Sequence, residues 1–600
     1  MSQVEAPIQG TVVRVSVVVG DMVRAGQEVV VLESMKMEHG VTAEISGVVR
    51  LLSVASGDLV VAGQLLLEVD VQHVAEEAAV LPDEVGLDVV RADLSEVVDR
   101  HRIGLDEARP DAVERRRAVG RRTTRENVED LCDPGTFVEY GPLVIAAQRR
   151  RRPVSELIAR TPADGLVAGV GRVNGHPAIA MSYDYTVLAG TQGLQNHRKK
   201  DRLFELAERQ RLPIVFFTEG GGGRPGDTDG TGVSGLDCLA FALFASLSGL
   251  VPLVGVNAGF CFAGNAALLG CCDVVIATAD SNIGMGGPAM IEGGGLGVFA
   301  PTEIGPMDVQ VANGVVDIEA ADESEAVAVA KKYLSYFQGP ADTFECADQR
   351  LLRSLVPENR LRSYDVRRVV ELVCDTGSVL ELRRGFGAGM VTALARIEGR
   401  PIGVVANNPA HLAGAVDADA ADKAAHHLQL CDAFDIPVLY LCDTPGIMVG
   451  PESERAANVR HSSRMFITGA SLTVPYFTII LRKGYGLGAQ AMAAGSFKSP
   501  LFTVAWPTGE VGGMGLEGAV RLGYRRELEA IEDPDERERA FEAMVEAAYT
   551  HGKALNAATH YEIDDVIDPF DSRRWISTAL ASAPAPSPRT GKKRPSVDPW

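Results

Sequence analysis

Residues 396–443 begin RIEGRPIGVVANNPAHLAGAVD and close on DIPVLYLCD, while residues 172–219 begin RVNGHPAIAMSYDYTVLAGTQG and close on RLPIVFFTE. The two stretches carry one pattern displaced by 224 positions. Arg172, Gly175 and Pro177 match Arg396, Gly399 and Pro401. Leu188-Ala189-Gly190 matches Leu412-Ala413-Gly414, Lys199 matches Lys423, and Pro213 matches Pro437. Each copy reads as a strand, a loop, an amphipathic helix (DRLFELAERQ; DKAAHHLQLCDAF) and a second apolar strand. Strands alternating with helices predict a layered α/β architecture. Two such halves predict a site between them.

The same displacement carries Gly264, in FCFAGNAALLG, onto Gly488, in KGYGLGAQAMAAG. Both glycines follow an apolar strand and open an alanine-rich helical stretch. A residue without Cβ there lets backbone N–H groups approach a ligand closely. Donors so placed stabilise a developing oxyanion by a few kcal/mol. The competing reading, glycines that serve only tight strand–helix packing, is weakened by the motif's occurring twice.

A shorter repeat occupies the N-terminus. Residues 8–27 (IQGTVVRVSVVVGDMVRAGQ) return at 45–64 (ISGVVRLLSVASGDLVVAGQ), displaced by 37 positions. β-Branched runs bounded by G-D and A-G turn signals predict about eight short strands in a flattened barrel. The midpoint of the duplication is Lys36, within Ser34-Met35-Lys36-Met37. The fold therefore presents this lysine on an exposed hairpin between the halves.

A net charge of −22 argues against nucleic-acid binding, which needs a basic stripe. MSQVEAPIQGTVV has no signal-peptide character. The most apolar stretch, 237–256, is broken by Ser, Gly and Pro and reads as a buried helix and strand, not a membrane span. Nine cysteines without a CxxC pair argue against disulfides and structural zinc, so no metal site is expected, and they point to a reducing cytoplasm. Cys261, Cys271 and Cys272 read as small buried hydrophobes. The expected boundaries are a carrier domain at 1–72, a linker at 73–110, α/β halves at 111–345 and 346–580, and a disordered tail at 581–600.

The SMKM stretch resembles the A-M-K-M signature of the biotinyl domains of biotin-dependent carboxylases. Lipoyl domains share the fold but lack the methionine pair. Residues 407–448, 482–492 and 505–520 resemble the carboxyltransferase β-subunits of acyl-CoA carboxylases in their NNP, LAG, DKAA, CDAF-IP, D-x-PG, RK-x-YG and AWPT-E-x-x-x-MG motifs. The joint resemblance is to the C-terminal part of single-chain long-chain acyl-CoA carboxylases. It implies a small all-β biotinyl domain followed by two crotonase-like α/β subdomains, assembled as a homohexamer. Biotin would be joined to Lys36, flanked by Met35 and Met37. The family's oxyanion pairs would fall on Gly264-Asn265 and on Leu487-Gly488, the latter in G-L-G where the family more often has G-G. Gln490 aligns with an acyl-pocket position and is not a typical choice there.

The chemistry implied is transfer of a carboxyl group from carboxybiotin to the α-carbon of an acyl-CoA. One oxyanion hole would serve the ureido oxygen and the other the thioester enolate. No ATP-binding domain is found, so the partners implied are a separate biotin carboxylase subunit and a biotin protein ligase. A decarboxylase or transcarboxylase component, and a non-catalytic biotin scaffold, are the alternatives. The loop Glu219–Arg224 reads as a canyon lining or a flexible connector. The run Arg149–Arg152 reads as a phosphate contact or a solvated loop, and His39 and His197 as ordinary histidines.

Overall fold

The computed structural model describes residues 1–72, 88, 90–230, 232–584, 586 and 589–600. The chain divides into two units, Met1–Leu94 and Ser95–Trp600, each taken by itself below. Among the described residues no helix is long and apolar enough to cross a membrane.

The first unit contains β1 (Ser2–Glu5), β2 (Gly10–Val15), β3 (Met22–Val23), β4 (Glu28–Ser34), β5 (Met37–Thr42), β6 (Gly47–Leu52), β7 (Leu59–Val60) and β8 (Leu65–Val71). Two four-stranded sheets run β1-β8-β6-β3 and β5-β4-β2-β7. Displacement by 37 positions carries β2 onto β6, β3 onto β7 and β4 onto β8, so each sequence copy supplies strands to both sheets. The repeated G-D and A-G-Q signals have a physical origin. Asp21 and Asp58 each accept an N–H three residues back at 2.8 Å, and Gln27 and Gln64 do the same at 3.0 Å. These local bonds close tight turns around glycines at positive φ. Val12, Val30, Leu32, Val49, Leu66 and Val69 fill the space between the sheets.

The second unit is built on two mixed sheets. The first orders its strands Ile318–Ala320, Val274–Thr278, Leu253–Asn257, Ile214–Phe217, His176–Tyr183, Leu166–Val173 and Val138–Glu139. The second runs Leu380–Leu382, Met390–Ile397, Arg400–Asn407, Val438–Thr444, Tyr476–Tyr485, Thr503–Ala505 and Asp565–Val566, with Glu510–Gly512 also pairing on Tyr476–Tyr485. The displacement of 224 positions holds to the residue through the shared hairpins. Leu166 faces Tyr183 as Met390 faces Asn407, and Ile179 faces Ile214 as Gly403 faces Val438.

Period-two alternation then sorts side chains onto two faces. Val215, Phe217, Val254 and Val256 join Val438, Tyr440, Cys442 and Ile480 in one core shared by both halves. Their neighbours Ile214, Phe216 and Leu253 fill one outer core, and Leu439, Leu441, Phe477 and Ile479 the other. The two repeat helices differ in setting. Leu194–Gln210 is amphipathic and buries Leu203, Phe204 and Ala207. Its counterpart Ala418–Ala433 is buried at 14 of its 16 positions, charged ones included. The expectation of an amphipathic helix fails there, because this helix lies within the shared core.

Two expected boundaries shift. Residues 73–87 and 89 of the linker lie outside the described residues. Its later part is bonded into the second unit, where Arg109 donates to Asp184 and Thr186 at 2.7 Å and Asp106 accepts from Thr123 at 2.5 Å. The stretch at 581–600, expected to be disordered, is correspondingly held along residues 589–600. Val597 is buried in the shared core, and its N–H meets the Ser248 hydroxyl at 3.0 Å. Arg594 pairs with Asp432 at 2.7 Å, Arg589 with Asp435 at 2.6 Å, and Asp598 accepts from Gln429 at 3.1 Å. Its Pro, Ser and Lys content reads as solvated chain, but its basic residues find carboxylates, buried Asp432 and half-buried Asp435, that composition does not reveal.

Candidate active site

Strand Phe260–Phe262 turns at Ala263 (φ 51°, ψ −121°) into the short helix Gly264–Leu269. Phe262 donates its N–H to Gly220 at 2.9 Å and Ala263 to Gly284 at 3.0 Å. The next N–H groups, of Gly264 and Asn265, meet no protein acceptor among the described residues, as the first turn of a helix dictates. The Asn265 side chain is fully buried. Its Oδ1 accepts from Gly222 N and from Gln192 Nε2, both at 3.1 Å. Its Nδ2 donates to Gly190 O at 3.3 Å and Thr218 O at 3.2 Å.

Asn265 thereby ties the glycine-rich loop to the turn. Gly222, at φ 87°, backs onto Ala263, whose Cβ would lie 2.6 Å from a Cβ at 222. Arg224 donates to the buried Asp164 at 2.5 Å and to Thr191 O at 2.9 Å. The stretch Glu219–Arg224 is thus a bonded lining of the turn. Burial raises the pKa of Glu219, and the opposing pull of Arg116, 2.9 Å away, holds the carboxylate there.

The second half builds the matching turn. Strand Tyr476–Tyr485 runs into helix Gly486–Ala491 through Gly486 at φ 55°. Gly220 bridges Cys261 in the first half, and Thr444 pairs with Gly484 in the second. Together with the positive-φ pair Ala263 and Gly486, this sets the local displacement at 223 positions, one fewer than in the hairpins. Gly264 therefore corresponds to Leu487, and Asn265 to Gly488. Neither Leu487 N–H nor Gly488 N–H meets a protein acceptor among the described residues. Gly488 lies against backbone, where an added Cβ would fall 2.6 Å from the Gly446 carbonyl carbon. Gly486, Leu487 and Gln490 line an open cavity of about 930 Å³ with Gly512, Gly513 and His551. The two turns stand on separate sheets, and no hydrogen bond of one reaches the other.

Lys36 sits in a two-residue turn closing β4 on β5, with Ser34 paired to Met37. Met35 and Lys36 adopt φ 52° and 66°, the left-handed pair that matches strand twist but strains residues other than glycine. Met35 is 96% and Met37 65% exposed, and Lys36 makes no hydrogen bond or ion pair among the described residues. A free, displayed amine on a rigid hairpin suits acylation by a carboxylic-acid cofactor.

The remaining expected residues lie elsewhere. Arg149 pairs with Asp229 at 3.0 Å, Arg151 donates to Gly226 O at 3.2 Å, and Arg152 pairs with Glu156. His39 is exposed. Burial pushes His197 down to about 3, and its Nδ1 has no partner among the described residues. Burial pushes the Cys261 thiol up to about 12, so it is not nucleophilic; Cys272 is buried, while Cys271 is only half-buried.

Comparison with known proteins gives two family matches, a carboxyl transferase domain over residues 115–594 and a biotin-requiring-enzyme domain over residues 2–69. The chain belongs to the carboxyl transferase family. This carboxyltransferase is 34% identical over 482 residues to the methylmalonyl-CoA carboxyltransferase 12S subunit of Propionibacterium freudenreichii subsp. shermanii, covering 78% of this chain and 90% of that one. It matches the solved structure of a single-chain, multi-domain long-chain acyl-CoA carboxylase with 56% identity and a TM-score of 0.80, over 96% of this chain and 56% of that one. The carboxyltransferase thus spans 56% of the length of that larger protein. A transcarboxylase 12S crystal structure, a hexamer with methylmalonyl-CoA and methylmalonic acid bound, matches with 31% identity and a TM-score of 0.71, over 85% of this chain and 99% of that one. The fold is therefore a biotinyl domain followed by crotonase-like halves. The protein is a biotin-dependent enzyme of the acyl-CoA carboxylase family, carrying biotin covalently on the same chain as its carboxyltransferase.

Proposed function

We propose that this carboxyltransferase moves a carboxyl group between biotin on Lys36 and the α-carbon of an acyl-CoA. The observation that carries the reading is the matched pair of turns, Gly264-Asn265 and Leu487-Gly488, each presenting unpaired N–H groups, on a chain that also displays a free lysine hairpin. Biotin, when bound, supplies the ureido ring that bears the carboxyl group. The chain supplies oxyanion stabilisation. Loss of the α-proton puts negative charge on the thioester oxygen, and fixed N–H donors aimed at such an oxygen contribute about 3–4 kcal/mol. One turn would hold that oxygen, and the other would offer its N–H groups to the cofactor's carbonyl oxygen. No side-chain nucleophile is required.

The likeness to a long-chain acyl-CoA carboxylase supports an acyl-CoA with an extended chain and a role in fatty acid metabolism, in a ligase reaction driven by ATP at a separate biotin carboxylase subunit. A biotin protein ligase modifies Lys36 in the cytoplasm. The hexameric 12S relative supports a homohexamer. That same relative also supports a second reading, a transcarboxylase component. Co-purification with an ATP-dependent biotin carboxylase favours the first; acceptance of the carboxyl group by a second carboxyltransferase favours the other.

The test uses the biotinylated full chain with malonyl-CoA and α-alkylmalonyl-CoAs of increasing length, following release of the decarboxylated acyl-CoA. Turnover that vanishes in Lys36→Ala is expected, and the preferred substrate identifies the acyl class. Absence of turnover with every substrate, from protein shown to carry biotin, refutes the reading.

A further inference from the structure

Lys200 is completely buried on the helix Leu194–Gln210. Its Nζ donates to Gln192 Oε1 at 2.7 Å and to the Tyr183 hydroxyl at 2.9 Å, and it forms no ion pair among the described residues. An ammonium buried without a carboxylate costs several kcal/mol. The adjacent Lys199 is of a different kind. It caps Leu166 O and Gly141 O, with Glu139 3.9 Å away, and its counterpart Lys423 caps Phe386 O in the other half. Lys199 therefore belongs to the fold.

Lys200 has no such counterpart. The corresponding position is Ala424, and Gln192, Tyr183 and Asn265 correspond to Val416, Asn407 and Gly488. The backbone is the same at these places: Gln192 N donates to Gly222 O at 2.7 Å as Val416 N donates to Gly446 O at 3.0 Å. One half places Ala424, Val416 and Gly488 there, with the buried Asn407 as its polar group, and the other a buried cation, a tyrosine hydroxyl and two amides. The architecture does not need the polar set.

That set runs to the catalytic turn. An ammonium only donates, so Gln192 must offer it the amide oxygen and point Nε2 at Asn265, where Oδ1 lies 3.1 Å away. Asn265 must then point Nδ2 at Gly190 O and Thr218 O. Both amide orientations follow from one cation. Gln192 also lies directly beneath the turn, since a Cβ on Gly264 would fall 3.0 Å from its Nε2. We infer that Lys200 is a positioning residue, which acts through Gln192 and Asn265 to hold the Gly264-Asn265 N–H groups in register with the substrate oxygen. The inference rests on the reading of those N–H groups as oxyanion donors.

The charged and titratable groups around Lys200 are Asp201 and His197 on its own helix, Tyr183 on the adjoining strand, Cys238, Asp164 and Arg224. Burial outweighs them and pushes Lys200 down to about 7. Below that pH the group only donates; above it a neutral amine also accepts, and the constraint on Gln192 is relaxed.

The test uses the biotinylated full chain with Lys200→Met, and with the double variant Lys200→Ala/Gln192→Val, which copies the other half's side chains. Misplaced donors are expected to lower kcat about 10–100-fold. Uniform binding is untouched, so KM for the acyl-CoA should stay within about threefold. The ratio of wild-type to variant kcat should shrink as pH rises through about 7. A purely structural lysine would move neither that ratio nor kcat at constant KM. Hydrogen exchange of residues 260–268, which needs no turnover, should quicken in both variants. Unchanged kcat with unchanged exchange overturns the inference. If wild type itself releases no acyl-CoA, the active-site reading fails, and the exchange experiment alone decides whether Lys200 orders the turn.

Discussion

Gly488→Ala perturbs one turn through packing alone, without backbone strain. The backbone at Gly488 lies outside the left-handed region, so alanine meets no conformational penalty there. The obstacle is contact. The new Cβ would stand 2.6 Å from the Gly446 carbonyl carbon and 2.7 Å from its Cα, where carbon atoms rest at about 3.5–4.0 Å. Both partners are backbone, so neither can swing aside, and the turn must retreat by about 0.9 Å. Overpacking of this kind costs about 1–3 kcal/mol. A donor displaced by about 1 Å loses about 100-fold in rate. Gly264→Ala is the internal comparison, because the nearest atoms its Cβ meets, Gln192 Nε2 at 3.0 Å and Phe241 Cζ at 3.2 Å, belong to side chains rather than backbone. We expect Gly488→Ala to lose about 100-fold in kcat for acyl-CoA release, with a lower denaturation midpoint, and Gly264→Ala to lose roughly tenfold or less. A Gly488→Ala chain that turns over within about threefold of wild type would refute the placement of the second turn.

Three further outcomes are expected. Deleting residues 589–600 removes the Arg594–Asp432 and Arg589–Asp435 pairs and uncovers the contact of Val597. Burying one valine contributes about 1.5–3 kcal/mol, so the guanidinium midpoint should fall by at least that equivalent, while β1–β8 unfold as before. Burial pushes Asp273 up to about 7, against the N–H of Leu253 at 2.8 Å. The folded state then binds a proton that the unfolded chain has released, so the contribution is full below about pH 4 and is lost as pH rises to about 7. Asp273→Asn should match wild type near pH 4 and exceed it at pH 8 in urea midpoint; parallel curves would contradict this. In the native chain iodoacetamide should label the exposed Cys346 first and reach the buried Cys261 and Cys272 only on unfolding, as peptide mapping would show.

Much of this architecture was legible because it is written twice. The displacement of 224 positions survives as identical strand register, since hairpins tolerate no slip once both faces are buried. The displacement of 37 positions likewise placed Lys36 on its turn. The shift to 223 positions at the two glycine turns was not legible, because one residue is lost in a connection whose ends the sequence does not mark. It explains why Gly264 falls on Gly488 by arithmetic but on Leu487 in space. Gln192 and Lys200 were missed for another reason. Their signal is a departure from the repeat, Gln against Val416 and Lys against Ala424, and a search for matches passes over mismatches. The ordered stretch 589–600 escaped because composition reports what a segment contains, not the buried Asp432 and half-buried Asp435 it meets.

The burial of Val597 also bears on how this chain is made. The core it enters draws on residues from Val128 onward, so the common interior of the two halves gains its last side chain only when residue 597 has left the ribosome. Until then the inner faces of both sheets wait partly uncovered, the condition in which large proteins recruit chaperones or aggregate. Completion of that interior falls to a segment far along the chain from most of the strands it covers. Translation errors or early termination near residue 590 would therefore leave the shared interior without Val597 and the Arg594–Asp432 pair.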